Sequence, residues 1–196
     1  MLKIGLTGNI GSGKSLVAKI FSTLGIPVYL ADLESKKLLT QSGVKAVITR
    51  TLGIDILTPT GEIDRVKLAE VVFSDPASLN FLNSLLHPLV MKDFEEWCQN
   101  HLESKFIIQE AAIILEGGFG DQFDKIIHVS CPVELSIERV MKRDNVTRED
   151  VLRRMQFQFD DARKIGLSDY IIRNDSTELI IPQVLSINQQ LLSLQG

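Results

Sequence analysis

Residues 5–16 read GLTGNIGSGKSL, and this stretch decides how the chain begins to fold. The spacing G-x-x-x-x-G-K-S runs from Gly8 to Ser15 and is that of a phosphate-binding loop, called the phosphate loop below. A short apolar segment precedes it, and apolar residues at helical spacing follow it as far as Leu24. The stretch therefore predicts a strand, a glycine loop and a helix, which is the context in which this motif binds a nucleotide.

Backbone N–H groups of such a loop surround a phosphate, aided by the positive end of the helix dipole. Lys14 is expected to reach the β- and γ-phosphates, and the Ser15 hydroxyl to bind Mg²⁺. The alternative is a glycine turn that only joins a strand to a helix, and the complete spacing weighs against it. The predicted ATP contacts in the loop are Gly8, Asn9, Ile10, Gly11, Ser12, Gly13, Lys14, Ser15 and Leu16.

Strands alternate with helices along most of the chain. Thr147–Asp150 resembles a capping box that opens one helix, and residues 179–194 form a last amphipathic helix. The alternation predicts an α/β fold, a parallel sheet of about five strands with helices on both faces. The expected strands are Lys3–Thr7, Pro27–Ala31, Phe106–Gln109, Lys125–Val129 and Tyr170–Ile172.

The segment between the second and third strands is mostly helical in pattern. Asp75 and Pro76 are a cap and a first helical residue, and leucines at helical spacing follow them. Pro88 falls inside this helix and is expected to kink or break it. The expected organisation is a nucleotide-binding core of residues 1–32 and 102–196 with a helical insertion at 33–101.

Composition limits the partners and the compartment. The formal charge of −4 gives no general basic surface, so no nucleic-acid partner is expected. Cys98 and Cys131 are too few and too widely spaced for a disulfide framework or a zinc site. Neither a leader-like segment nor an apolar run of about 18 residues is found. We expect a cytoplasmic protein without a membrane association, and nothing indicates an obligate protein partner.

Asp32 ends the stretch YLAD directly after the second expected strand. Ligands of open α/β sheets bind at the carboxyl ends of the strands, so Asp32 is a candidate to orient an acceptor hydroxyl and take its proton. The alternative is a cap for the following helix, and the two roles are compatible. The N-K-x-D and D-x-x-G motifs of GTPases and the L-S-G-G-Q signature of transporter ATPases are absent from the sequence.

Short motifs spread along nearly the whole chain fit one pattern. Besides the phosphate loop and Asp32, they include GEIDR at 61–65, LLHP at 85–88, and Glu110 followed by IILE at 113–116. Further positions at matching spacing are Arg139, Arg143, Asp144, Gln158, Lys164, Asp169, Tyr170 and Asn174. Together these residues resemble the dephospho-coenzyme A kinase family. The departures from the family pattern are Asn9, Leu16, Lys36, Ala112 and Ser136.

The resemblance implies ATP as co-substrate, Mg²⁺ as metal and a helical lobe that binds dephospho-CoA. It implies that Asn174 borders the adenine and that Glu110 holds Mg²⁺ through water; the alternatives are a turn residue and a loop acid. Lys36 replaces a usual arginine and cannot repeat its bidentate grip on a phosphate. The implied substrate-binding residues are Thr7, Asp32, Lys36, Arg65 and His87. For His87 a capping or core-edge role is the alternative.

Arg139 and Arg143 are four residues apart and are expected to share one helix face. A movable pair of cations there can close over the transferring phosphoryl group and exclude water. With Lys14 and Asp32 they complete the predicted catalytic set, in a lid at roughly residues 139–160. The alternative is a solvated face with exchangeable salt bridges.

The resemblance implies that the reaction transfers the γ-phosphoryl of ATP to the ribose 3′-hydroxyl of dephospho-CoA, giving CoA and ADP. The alternative of the same fold is a nucleoside or nucleotide kinase, against which the GEIDR and LLHP motifs weigh. The alternative from another class is a nucleotide-binding switch with negligible turnover. Asp32 and the paired arginines weigh against that switch.

Overall fold

In the computed structural model, which describes residues 1–194, the chain forms two compact units. The first comprises Met1–Leu30 and Cys98–Gly196, and the second is Ala31–Trp97. The strands are β1 (Leu2–Gly8), β2 (Val28–Leu30), β3 (Phe106–Glu110), β4 (Lys125–Ser130) and β5 (Tyr170–Arg173). The helices are α1 (Lys14–Thr23), α2 (Ala31–Leu38), α3 (Ser42–Leu52), α4 (Arg65–Ser74), α5 (Pro76–Gln99), α6 (Val133–Asp144), α7 (Arg148–Met155), α8 (Asp161–Gly166) and α9 (Ile180–Ser193).

The first unit contains one five-stranded sheet in the order β2-β3-β1-β4-β5. Every neighbouring pair of these strands is parallel. The predicted parallel α/β fold is thereby confirmed. Because β1 lies in the middle and the chain crosses to opposite sides of it, the carboxyl end of β1 is where a ligand crevice is expected.

One face of the sheet forms an apolar core with α1 and α9. Successive side chains of a strand alternate between faces, so every second residue of each strand joins this core. The rings of Phe21 and Phe106 meet edge to face at a centroid distance of 6.4 Å. The fully or nearly buried residues of this core are Ile4, Leu6, Val17, Ala18, Phe21, Phe106, Ile108, Ile127, Val129, Ile172, Val184, Ile187 and Leu191.

The opposite face is partly polar towards the carboxyl ends of the strands. Thr7 of β1 is in register with His128 of β4, and Gly5 is in register with Gln109 of β3. Thr7 and His128 are fully buried and Gln109 is 4% exposed. Buried polar groups need hydrogen-bond partners, so this face places specific demands on the segments that cover it.

The second unit is mainly helical. Asp64 caps α4 by accepting hydrogen bonds from the N–H groups of Val66 and Lys67. Asp75 accepts from Ala77 and Ser78 at the start of α5, as the Asp–Pro pattern predicts. The buried apolar residues of this unit include Val44, Ile48, Ile56, Leu68, Val72, Leu86, Val90 and Phe94.

Two local expectations at helix ends have clear outcomes. The capping box at Thr147 is confirmed, because its hydroxyl accepts from Asp150 N–H while the Asp150 carboxylate accepts from Thr147 N–H. Asp32 does not stand at the cap position, since α2 already begins at Ala31 and Asp32 lies in its first turn.

None of the helices within residues 1–194 combines the length and apolarity that crossing a membrane requires.

Pro88 does not break its helix, because α5 runs without interruption from Pro76 to Gln99. A proline in a helix interior removes one hydrogen bond and costs about 3 kcal/mol. Residues on both sides of it are anchored: Leu86 and Val90 are each 7% exposed and Phe94 is 1% exposed. Each such side chain contributes about 1.5–3 kcal/mol on burial, which outweighs the cost at Pro88.

Replacing Pro88 by alanine is expected to raise the free energy of unfolding by about 1–3 kcal/mol, because the restored N–H can donate within α5. Urea unfolding followed by circular dichroism measures this change. Pro76→Ala is the matched control, since the N–H of a first helical residue has no intrahelical acceptor and little change is expected. Equal effects of the two substitutions would contradict this account of Pro88.

Candidate active site

The phosphate loop connects β1 to α1, with Gly8 at the end of the strand and Lys14 at the start of the helix. The Lys14 ammonium reaches back across the loop and donates to the carbonyl oxygens of Gly8 at 2.9 Å and Asn9 at 3.3 Å. Lys14 is only 8% exposed. Two neutral carbonyl groups thus hold a positive charge at the loop, where it can bind an anion.

Gly11 and Gly13 of the loop have positive φ angles and close neighbours. Gly11 has φ of 79° and Gly13 has φ of 99°. A Cβ atom at Gly11 would overlap the carbonyl oxygen of Ser136, and one at Gly13 would overlap the carboxamide of Asn174. Within residues 1–194 the N–H groups of Gly11 and Gly13 meet no hydrogen-bond acceptor. These two amides can therefore donate to a bound phosphate.

Other amides of the loop are used inside the protein. Ile10 N–H donates to the Gln158 side chain at 2.9 Å, and Ser12 N–H donates to the Asn9 carbonyl at 3.0 Å. The Ile10 side chain packs against a small apolar cluster formed by α6 and α7. Ile10 thus anchors the loop through both its backbone and its side chain. In the sequence, Gln158 stood out only as a position that fits the family pattern, and its contact with the loop was not predicted.

Arg139 and Asn174 meet beside the loop. The Asn174 Nδ2 donates to the Ser12 carbonyl at 2.7 Å. Arg139 donates to the Asn174 backbone oxygen and to its Oδ1, both at 3.3 Å, and to the Cys131 sulfur at the same distance. Asn174 therefore contacts the loop backbone itself, and its expected place beside the adenine stays a prediction.

Arg143 lies on the same helix, α6, but forms a different contact. Its guanidinium grips the Asp144 carboxylate with hydrogen bonds of 2.6 and 2.9 Å, and Arg154 contacts the same carboxylate at 3.3 Å. The hydrogen bonds from Arg143 lower the pKa of Asp144. Arg143 is exposed, whereas Arg139 is partly buried. The two predicted lid cations thus share a helix and differ in their partners.

The two residues predicted to hold Mg²⁺ are oxygen donors at neighbouring elements of the first unit. Ser15 is exposed in the first turn of α1, and so is Leu16, the next predicted ATP contact. Glu110 ends β3, is 5% exposed, and lies in register between Leu6 and Leu30. Alternation places Glu110 on the face of the sheet that α1 covers. A hydroxyl and a carboxylate are the kinds of ligand that Mg²⁺ prefers.

A buried ion pair lies on the other face of the sheet. Lys164 Nζ is 2.7 Å from Glu116 Oε1 and donates to the Ala112 carbonyl at 2.9 Å. The same carbonyl accepts a longer bond, 3.4 Å, from the Thr7 hydroxyl. Burial lowers the pKa of the Lys164 ammonium, while Glu116 opposes that shift. No local sequence pattern predicts this pair, whose members lie far apart in the chain.

His128 belongs to a second polar group on that face. Its Nε2 is 2.8 Å from Asp161 Oδ1, and the Ser130 hydroxyl donates to Asp161 Oδ2 at 2.6 Å. Burial lowers the pKa of His128, and the bond to Asp161 opposes this effect. No local sequence pattern indicates a role for His128, because its partner Asp161 on α8 is distant in the chain.

Four predicted residues belong to the unit of residues 31–97. Asp32 and Lys36 are exposed on α2 and share one face, since they are four residues apart. Chain connectivity places Asp32 only two residues beyond the end of β2. Arg65 is exposed at the first position of α4, and His87 is half-buried in α5, where burial lowers its pKa.

Comparison with known proteins identifies the family. The dephospho-CoA kinase (CoaE) family model matches residues 2–179. The chain belongs to the dephospho-CoA kinase family. A dephospho-CoA kinase of Bacteroides fragilis (strain YCH46) is 36% identical over 188 residues, with 95% of this chain and 91% of the relative covered. Membership of the dephospho-CoA kinase family makes the protein an ATP-dependent phosphotransferase that acts on an alcohol group.

Solved structures agree with this family and fold. A dephospho-CoA kinase from Campylobacter jejuni is 25% identical and superimposes with a TM-score of 0.70, with 99% of this chain and 98% of the other covered. The crystal structure of TT1252 from Thermus thermophilus is 30% identical with a TM-score of 0.82, covering 100% and 98% of the two chains.

Lys164→Met is expected to lower the free energy of unfolding by about 3–5 kcal/mol, because it leaves the Glu116 carboxylate buried without its cation. Adding Glu116→Gln removes that charge and is expected to restore part of the loss. Chemical unfolding of the wild type, the two single variants Lys164→Met and Glu116→Gln, and the double variant measures both effects. Lys92→Met is the control: the Lys92–Glu96 pair is exposed (75% and 70%), so little change is expected. Strictly additive losses at 116 and 164 would contradict the coupling.

His128→Gln is expected to make the stability of the protein less sensitive to acid. Because the folded pKa lies below the unfolded value of about 6.5, the neutral ring contributes stability above that pH, and the contribution is lost as the pH falls towards the folded pKa. Burial also lowers the pKa of His87, but this residue is present in the wild type and in His128→Gln alike. The difference between their pH slopes therefore reports on His128 alone. Unfolding free energies between about pH 5 and 7 measure the slopes, and equal slopes would refute the assignment.

Proposed function

We propose that this protein transfers the γ-phosphoryl group of ATP to the ribose 3′-hydroxyl of dephospho-CoA, giving CoA and ADP. The observation that carries the proposal is the family match over residues 2–179. It is supported by a preformed phosphate loop, in which the Lys14 ammonium is already held at the Gly8 carbonyl. Family membership names the acceptor, and the loop provides the means of binding the donor.

ATP is bound through the phosphate loop. The N–H groups of Gly11 and Gly13 donate to phosphate oxygens, while Lys14 exchanges its carbonyl partners for the β- and γ-phosphates. Phosphoryl transfer gains mainly from positioning and from charge stabilisation, which a rigid loop with a buried cation supplies. The amides of Ile10 and Ser12 hold the loop in shape and leave phosphate binding to their neighbours.

Mg²⁺ is the proposed metal. The Ser15 hydroxyl would be its protein ligand and the Glu110 carboxylate would act through water, a donor set of oxygens that suits this ion. When bound, the ion neutralises charge on the β- and γ-phosphate oxygens. The position of Ser15 in the first turn of α1 and of Glu110 at the end of β3 supports this assignment.

Asp32 is proposed to orient the 3′-hydroxyl for in-line attack and to accept its proton. Because a carboxylate is a weak base, the proton moves late, after the attacking oxygen has begun to bond to phosphorus. Residues 33–101 are proposed as the helical lobe that holds dephospho-CoA. Lys36, Arg65, His87 and Thr7 are the proposed substrate-binding residues. The exposed cations at 36 and 65 suit the phosphates of this substrate.

The lid at roughly 139–160 is proposed to bring Arg139 and Arg143 to the transferring group. Arg143 can do so by exchanging the Asp144 carboxylate for phosphoryl oxygens, since both are anionic acceptors. Arg139 is partly buried and donates to the backbone oxygen and Oδ1 of Asn174, both at 3.3 Å. We further infer a cytoplasmic enzyme that needs no nucleic acid, membrane or obligate protein partner, which the composition and net charge support.

A coupled ADP-release assay with Mg-ATP tests this function by comparing dephospho-CoA with AMP, CMP, adenosine and pantothenate. Turnover is expected with dephospho-CoA alone. Asp32→Asn is expected to lower kcat by at least about 100-fold while ATP binding is kept, since it removes the base but not the phosphate loop. Glu34→Gln on the same helix is the matched control and is expected to leave turnover unchanged.

Each contrary result has a distinct meaning. Equal turnover with a nucleoside or nucleotide would overturn the acceptor and keep the kinase chemistry. ATP binding without transfer to any of these acceptors would point to a nucleotide-dependent switch. Full activity of Asp32→Asn would remove Asp32 from the catalytic set.

A further inference from the structure

Asn174 lies where the last strand of the sheet ends and touches the first loop of the chain. Its N–H donates to the Ser130 carbonyl at 2.9 Å, which continues the pairing of β4 with β5. Its side chain is almost completely buried, and Nδ2 donates to the Ser12 carbonyl at 2.7 Å. The residue is thus fixed at its backbone and at its carboxamide.

The carboxamide can adopt only one orientation. A guanidinium offers only donors, so the atom that faces Arg139 must be the oxygen. A carbonyl only accepts, so the atom that faces Ser12 must be the nitrogen. The two neighbours therefore demand the same orientation from opposite sides, and flipping the amide would lose both bonds.

We propose that Asn174 is a positioning residue for the phosphate-binding N–H group of Gly13. The inference rests on the proposed binding of ATP at the phosphate loop. In a trans peptide the C=O and N–H groups point in opposite directions, and no peptide bond within residues 1–194 is cis. Fixing the Ser12 carbonyl towards Asn174 therefore turns the Gly13 N–H away from Asn174, to a side where none of the described residues offers it an acceptor.

Arg139 strengthens this arrangement through a chain of polar groups. Its positive charge polarises the Asn174 amide through Oδ1, and the amide in turn donates to the Ser12–Gly13 peptide. Hydrogen bonds connected in series reinforce one another in a site of low dielectric constant. The Gly13 N–H becomes a better donor to an anion, although Arg139 itself contacts Asn174 and not the loop.

Gly13 is matched to this contact. Its φ of 99° is one that a residue with a side chain rarely adopts, and a Cβ atom would overlap the Asn174 carboxamide. The absence of a side chain at 13 therefore lets Asn174 approach one side of the peptide while the other side stays open. Glycine is therefore needed at position 13 for two reasons: it lets Asn174 come close, and it lets a phosphate come close.

Asn174→Asp tests the proposal because it keeps the size of the side chain and the acceptor for Arg139 but replaces the donor to Ser12. The affinities for ATP and for inorganic tripolyphosphate, which has no base, are compared by isothermal titration calorimetry. Both are expected to weaken by the same factor, about tenfold or more, as for loss of one buried hydrogen bond. In turnover, the KM for ATP is expected to rise while the KM for dephospho-CoA stays unchanged.

Asn100→Asp, an exposed residue before β3, controls for the change in net charge and is expected to leave both affinities unchanged. Asn174→Ala adds no charge at the site and is expected to weaken both affinities as Asn174→Asp does, which separates loss of the hydrogen bond from charge repulsion. Weaker binding of ATP with full binding of tripolyphosphate would overturn the proposal, because Asn174 would then contact the base. Unchanged affinity for both ligands would overturn it as well. If Asn174→Asp does not fold, Asn174→Ala decides by the same comparison. Failure of the wild type to bind ATP would instead refute the proposed function.

Discussion

The phosphate loop has to be ordered before it can bind a nucleotide, and ordering glycine residues costs more conformational entropy than ordering other residues. Gly8, Gly11 and Gly13 keep the backbone accessible, yet the same residues do nothing to restrain it. Part of the restraint comes from Lys14 inside the loop, and the rest comes from side chains outside it: Gln158 holds the Ile10 N–H and Asn174 holds the Ser12 carbonyl. The geometry of the nucleotide site therefore depends on a few hydrogen bonds between the loop and the second half of the chain.

The two faces of the sheet meet different physical requirements. The face covered by α1 and α9 is apolar and is stabilised by the burial of apolar surface. Such a core tolerates exchanges between apolar side chains of similar volume. The other face carries His128 and the Lys164–Glu116 pair, each of which needs a partner in a defined direction. The ion pair and the Ala112 carbonyl tie α8 to the segment after β3, next to Glu110. Specific polar contacts are thus concentrated around the segments that lead to the candidate site.

Local patterns were enough to predict the five strands, the phosphate loop and the capping box at Thr147, because each depends on residues close together in the sequence. The contacts of Gln158 and Asn174 could not be predicted, since they span 148 and 162 residues. At Pro88 the local rule predicted a kink or a break; the break was wrong, because anchoring side chains on both sides keep α5 continuous. The roles of Asp32, Lys36, Arg65 and His87 came from resemblance and rest on the proposed function.

The position of Asn174 in the chain has a consequence for synthesis. Ribosomes deliver β1, the phosphate loop and α1 first, whereas the residue that secures the Ser12 carbonyl follows β5, about 160 residues later. An emerging chain therefore carries an exposed glycine loop whose partner has not yet been made. Nucleotide is therefore expected to bind such a chain more weakly, and its full stabilising effect is reached only once the last strand has joined the sheet.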